Sequence, residues 1–292
     1  MIRFKRILFP VDFSAQCRAV APSVKAMASR FGSQVVVMHV VGLPPNWFGS
    51  PEASAWAALI NADRLRAEAR IALDRFIAQE FSGPGPHVSW ELVEGDAAHQ
   101  IVNRAHDDGV DLIMMPTHGY GPVRALLLGS TTAKVLHDAH CPVWTGVHAG
   151  QAAVHSPDCW KRMLCAVDIG DKDLDTLRRA AAFAKEQDLE LRLVHAVVGV
   201  DSLLTKENDP SMYEFLFNVA REGLASLQEK AGTNFEACIL PGGIAHAVHQ
   251  AAVGHNADLI LIGRGVIQKT LGRLRSSAYS IIRAAPCPVL SI

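Results

Sequence analysis

The chain has 292 residues, room for two ordinary domains with real hydrophobic cores. Its 28 basic and 29 acidic residues leave a formal net charge of −1, so no electrostatic footprint points to nucleic acid or to an acidic membrane surface. The six cysteines (17, 141, 159, 165, 238, 287) form no CxxC and sit mostly in apolar runs, which argues for reduced thiols in a cytoplasmic protein rather than a disulfide framework or a zinc knuckle.

The first residues pass through Arg3, Lys5 and Arg6 straight into an apolar strand, without the long apolar core of a signal peptide, and no uninterrupted apolar run approaches ~20 residues. Strand 1 is predicted over residues 7–11. Ser14 can cap a helix whose apolar stripe is Val20, Val24, Met27 and Phe31, with Pro22 inside it and Gly32 ending it. Residues 35–41 read as a second buried strand, and 42–51, rich in Pro and Gly, as a loop. A longer helix follows with Leu65, Ile71, Phe76 and Ile77 facing inward, then a strand over 88–93 and a helix over 97–108 with Ile101, Val102 and Ala105 inward. A fourth strand covers 112–115, and a fifth starts at Val143. Alternating strands and helices of this kind argue for an α/β fold with a parallel sheet.

Two copies of that unit are visible. The run from Lys5 to Asp12 returns as Lys161 to Asp168, and His39 as His195, both at an offset of 156 residues. Gly95, His99 and Asp111 return as Gly242, His246 and Asp258, and Cys141-Pro142-Val143 as Cys287-Pro288-Val289. The expected division is 1–148, a small polar linker over 149–158, and 159–292.

The most informative stretch joins strands 4 and 5 of the first copy. It passes from Leu112-Ile113-Met114-Met115 through Pro116, Gly119 and Gly121 to Gly129-Ser130, where an amphipathic helix begins with Ser130 or Thr131 as its N-cap. The free N–H groups and dipole of such a helix end attract phosphate, for roughly 0.3–1 kcal/mol per interaction at an exposed site. The spacing is neither Walker A nor the Rossmann G-x-G-x-x-G. Taken singly, the glycines fit plain turn geometry, and Asp12, ending strand 1, fits a helix-capping residue equally well.

Together these residues resemble the ATP-binding signature of the universal stress protein family, G-x-x-G, nine residues, then G-S/T, carried here by Pro116-Thr117-His118-Gly119, Gly129-Ser130 and the closing Cys141-Pro142-Val143. Pro116 stands where the family has its first glycine. The resemblance implies two tandem flavodoxin-like (adenine nucleotide alpha hydrolase-like) domains, each a five-stranded mainly parallel sheet with helices on both faces, whose last strands pair within the chain as a pseudo-dimer. It further implies ATP, with or without Mg2+, in the first domain between the ends of strands 1 and 4. Val11, Asp12 and Val40 would border the adenosine part, Met115 and Gly119 would line the cleft, and Gly129, Ser130 and Thr131 would hold phosphate, with Pro10, Pro116, Thr117, His118 and Thr132 also among the binding residues. The partners implied are an adenine nucleotide and a second two-domain chain, with no nucleic acid and no membrane insertion.

In the second copy Asp168 persists, but Arg275 falls opposite Gly129 and Val266 opposite Gly119, so its cradle is expected to be degenerate. Arg264, Arg273 and Arg275 are expected to form a solvated basic rim, with anion binding as the alternative. No metal site is predicted. His39 and His195 lie inside apolar strands, where a hydrogen-bonded core histidine is the common outcome; His99 and His246 open helices, His246 and His249 share a helix face, and His137, His140 and Cys141 read as surface groups. No G-x-S-x-G elbow or H-E-x-x-H helix is present, and no catalytic residue is assigned. Competing readings are a weak ATPase with Asp12 holding magnesium, and a scaffold or small-ligand-binding protein with no nucleotide in either half.

Overall fold

A computed structural model describes residues 3–42, 51–119, 128–146, 157–170, 173–199, 210–264 and 276–292. Most of the expected linker (up to residue 156), the loop over 43–50, and Gly121, Gly265, Val266, Arg273 and Arg275 lie outside them. The first half runs β1 (Arg6–Pro10), α1 (Ala15–Phe31), β2 (Gln34–Val41), α2 (Pro51–Glu80), β3 (Val88–Glu94), α3 (Ala97–Asp107), β4 (Leu112–Pro116), α4 (Ser130–Asp138) and β5 (Val143–Gly146). The second repeats the plan as β6 (Arg162–Ala166), α5 (Leu174–Gln187), β7 (Glu190–Val197), α6 (Pro210–Ala231), β8 (Ala237–Pro241), α7 (Ile244–His255), β9 (Leu259–Ile262), α8 (Ser276–Ala284) and β10 (Val289–Ser291).

All ten strands join one sheet in the order β3-β2-β1-β4-β5-β10-β9-β6-β7-β8. Within each half the pairing is parallel, and the halves meet where β5 and β10 run antiparallel, Leu290 opposite Trp144. This is the expected doubly wound α/β architecture, with the two halves forming a pseudo-dimer. Strand order reverses between β1 and β4, and in open α/β sheets that switch point, beyond the carboxyl ends of the strands, is where ligands sit.

The residues that repeat in sequence repeat in bonding. Asp111 Oδ2 accepts the N–H groups of Lys5 and Arg6, both at 2.9 Å, and Asp258 Oδ2 accepts those of Lys161 and Arg162 at 2.8 and 2.9 Å, tying the start of each first strand to the start of its fourth. Gly95 and Gly242 hold φ of 129° and 102° while donating to Val41 O and Val197 O at 3.1 Å, a conformation a side chain would strain.

Side chains bury in two layers, one on each face of the sheet, and both cross the seam. On one face Phe4, Phe31 and Phe183 meet with centroids 5.0–6.3 Å apart, joining α1 to α5. On the other, α3 and α4 pack on the sheet beside α7 and α8. Ser14 caps α1 as expected, its Oγ accepting Cys17 N–H at 3.3 Å. On α2 the inward face differs from the expected one. Leu73 and Phe76 are fully buried, whereas Ile71 is 61% exposed, because it stands nearly opposite Leu73 on the helix.

Candidate functional site

The crevice is built first by the end of β1. Val11 N–H still pairs with Met38 O (2.8 Å), so the chain leaves the sheet only at Asp12. Asp12 Oδ1 then accepts Ser14 N–H at 3.0 Å, an Asx turn, and the Cys17 thiol at 3.1 Å. Burial, followed by the charge of Asp12, pushes the Cys17 thiol up to about 12, so it stays a donor. Phe13 takes a φ of 63° across this turn and lays its ring 4.3 Å from that of His39. His39 Nδ1 donates to Val11 O at 2.7 Å, and burial pulls its pKa below the usual value. The core-histidine expectation holds for His39 and for His195, whose Nδ1 lies 3.0 Å from Val167 O.

The far wall is the turn from β4 to α4. Thr132 Oγ1 donates to Pro116 O (3.1 Å), and Gly129 N–H donates to Thr117 O (2.9 Å), drawing the helix end onto the strand end. Backbone contact here is close: a Cβ on Gly129 would stand 3.3 Å from His118 Cα, and one on Gly119 would collide with Asp12 Oδ2. A side chain at Gly119 would have to displace the Asp12 carboxylate, and one at Gly129 would press on the His118 backbone. The N-cap is Gly129 rather than Ser130 or Thr131, since its bond to Thr117 O holds it extended and the first helical bond is Ala133 N–H to Gly129 O. The consequence is chemical. Neither hydroxyl is spent on capping, and the N–H groups of Ser130, Thr131 and Thr132 have no intrahelical acceptor.

Between these walls lies a cleft of about 530 Å³. Pro10, Val11, Asp12, Val40, Met115, Pro116, His118, Gly119, Gly129, Ser130, Thr131 and Thr132 all line it; Thr117 is buried behind, its Oγ1 3.1 Å from His118 Nδ1. Sequence reasoning missed Cys17, Met38, Ala97, Ile101 and Leu128, and took His39 for a core residue only. The available signal was periodicity: Cys17 lies one turn past the cap Ser14, and Ile101 one turn past Ala97.

The second half has a smaller cleft, about 240 Å³, lined by Val167, Asp168, His195 and a largely apolar wall. Asp168 is arranged differently from Asp12. Its Oδ1 turns to Ile169 N–H (2.9 Å), and its own N–H meets Asp173 Oδ2 (3.1 Å), where Asp173 occupies the place of Cys17 at the 156-residue offset. Arg264 is not a solvated rim residue. Its Nε and Nη2 are buried without a partner, Nη1 donates to Ala139 O in the other half, and burial pushes the guanidinium down to about 10. Cys141 also departs from expectation, since it is partly covered, and burial raises its pKa. Among the described residues no group of three or more His, Cys, Asp or Glu side chains gathers as a metal site, and no helix is long and apolar enough to cross a membrane.

A sequence model of the universal stress protein family matches residues 3–145 and matches again over 160–292. The chain belongs to that family. Two curated universal stress proteins each align with about half of it: one from Methanocaldococcus jannaschii, 32% identical over 142 residues (48% of this chain, 80% of the relative), and one from Thermus aquaticus, 34% identical over 142 residues (48% and 96%). A solved universal stress protein from Archaeoglobus fulgidus superimposes on the whole chain, covering 100% of it and 97% of its own length, with a TM-score of 0.62 at 20% identity, a likeness of fold alone. The chain is thus a tandem universal stress protein.

Proposed function

We propose that this protein is a nucleotide-responsive stress module that binds ATP in the cleft between the ends of β1 and β4 and leaves its second cleft without a triphosphate. The observation that carries this reading is the bare start of α4: among the described residues, three N–H groups and two hydroxyls there have no hydrogen-bond partner, beside two glycines where a side chain would press on Asp12 and His118. Backbone amides at a helix start suit the triphosphate. Val11, Val40 and Met115 give the base and ribose an apolar wall, and Asp12 is the acidic side chain within reach of a magnesium ion carried in with the nucleotide.

Binding without committed turnover is favoured because Asp12 Oδ1 is already occupied by Ser14 and Cys17, which is the state of a fixed acceptor rather than of a base. The deciding experiment is mass spectrometry of gently purified protein for co-purifying ATP, with calorimetric titration of ATP into the emptied protein. Neither bound nucleotide nor titratable heat would remove the reading and leave the scaffold. Phosphate release that disappears in Asp12→Ala while binding survives would establish the ATPase instead. Association of two-domain chains would use a face other than the β5–β10 seam, which is already filled; light scattering with and without ATP reads it.

A further inference from the structure

The two helices that follow the fourth strands, α4 and α8, are not held equally. Tyr279 Oη on α8 donates to Ala133 O on α4 at 3.0 Å, and Arg264 Nη1, just past β9, donates to Ala139 O at the end of the same helix. Burial, then the nearby Asp138 charge, raises the Tyr279 phenol, which keeps it a donor. Two polar side chains of the second half thus grip α4, one at its first turn and one at its last.

The first half reaches across elsewhere, Arg30 on α1 donating to Gln187 Oε1 and O at the end of α5 and Thr145 Oγ1 to Val289 O, but among the described residues it sets no such grip on α8. The 146-residue offset between α4 and α8 sets Tyr279 opposite Ala133 itself, a methyl that donates nothing. With the fourth strands aligned, Arg264 stands opposite Thr117, too short to reach across and bonded to its own neighbour His118. Among the described residues, no hydrogen bond from the first half reaches α8. The gripped helix is the one whose N-terminus forms the bare cradle. Arg264 is moreover a costly way to join two surfaces, because two of its buried nitrogens stay unpartnered, so its worth lies in what it fixes. A cation at the C-terminal end of α4, ~13 Å from the cradle, also has the sign that favours an anion at the other end.

We propose that Tyr279 and Arg264 are positioning residues for the phosphate cradle: the second half has become a brace that fixes α4 while the first half binds nucleotide. This rests on the ATP reading above but fails separately from it. Neither side chain touches the cleft. Their loss therefore acts on ligands that use the cradle and spares those that do not.

The test uses the full chain as wild type, Tyr279→Phe and Arg264→Met, titrated with ATP and with adenosine, which lacks phosphates. Each variant is expected to weaken ATP by about three- to tenfold, the worth of one hydrogen bond, and to leave adenosine unchanged. Hydrogen exchange without nucleotide gives a second readout, expected to quicken at Ala133 to Leu136 in Tyr279→Phe, a variant that removes one oxygen and keeps the ring. Equal loss for ATP and adenosine would mark a merely structural role and overturn the proposal. So would unchanged ATP affinity together with unchanged exchange. A wild-type protein that binds no ATP would instead defeat the nucleotide reading, and the exchange data would still decide whether the brace exists.

Discussion

The two halves are one design kept where it serves the sheet and altered at the crevice. Asp111 and Asp258 tie equivalent strand ends, Gly95 and Gly242 turn equivalent corners, and His39 and His195 bond equivalent carbonyls. At the mouth of the crevice the likeness stops. Asp12 receives a thiol donor from Cys17, whereas at the same position the second half has the buried Asp173, whose carboxylate accepts the Asp168 backbone N–H.

If the halves share one core, the largest effect should come from opening it at the seam. Trp144, 1% exposed, packs opposite Leu290 on the antiparallel pair β5–β10. Trp144→Ala is expected to cost roughly 3–5 kcal/mol and to lower both halves in a single unfolding transition, read by urea titration with probes in each half. Two separated transitions would show the halves to be independent. Trp144→Phe should be far milder, since it removes a buried Nε1 that has no hydrogen-bond partner.

A smaller effect should follow from carrying one feature of the second half into the first. Gly129→Arg copies the residue that the repeat places at 275. Its Cβ would press on the His118 backbone, and its chain would cover the amides of α4. Overpacking of this kind costs about 1–3 kcal/mol of stability in the shared unfolding transition, and each amide lost to the ligand costs about 0.5–1.5 kcal/mol of binding, so ATP affinity should fall roughly tenfold or more in calorimetry. Affinity equal to wild type would show that the glycine cradle is not where phosphate sits.

These two cases also show what the sequence disclosed. Strands, helices, the repeat and the place of the crevice were legible because each is written locally, in apolar runs, a cap at Ser14 and duplicated motifs. So were the cleft residues that the motif carries along the chain, though not Cys17, Met38, His39, Ala97, Ile101 or Leu128, which other elements bring to it. What was hidden depends on contacts from afar. Gly129 rather than Ser130 became the N-cap because Thr117 O takes its N–H, and Arg264 was buried by a carbonyl of the other half. Ile71 misled because two apolar residues close in sequence on α2 point to opposite sides.

Acid should probe the same contrast more gently. His39 has its pKa lowered by burial, so below about 6.5 the unfolded chain takes up a proton that the folded crevice resists. Stability is therefore expected to rise with pH through this range and to be lost as pH falls below it. His255, lowered by burial and then by Arg192, contributes in the same direction from the second half. Urea midpoints at pH 7.5 and 5.5 should differ less in His39→Gln than in wild type; an unchanged difference would assign the whole effect to other groups.

The smallest change concerns Pro116, where the second half, with its fourth strand aligned, has Gly263. Proline offers no N–H to a ligand, so Pro116→Gly restores at most one hydrogen bond, about 0.5–1.5 kcal/mol, and ATP should bind several-fold more tightly. The same substitution frees the unfolded chain and should cost roughly 0.4–1 kcal/mol of stability. Pro116 O, which accepts from Thr132, is kept by either residue, so the position of α4 should not move. Affinity and stability are thus expected to shift in opposite directions in one variant, and calorimetry with thermal unfolding reads both. Weaker binding would mean that the fixed φ of proline, rather than its missing N–H, is what shapes the loop for its ligand.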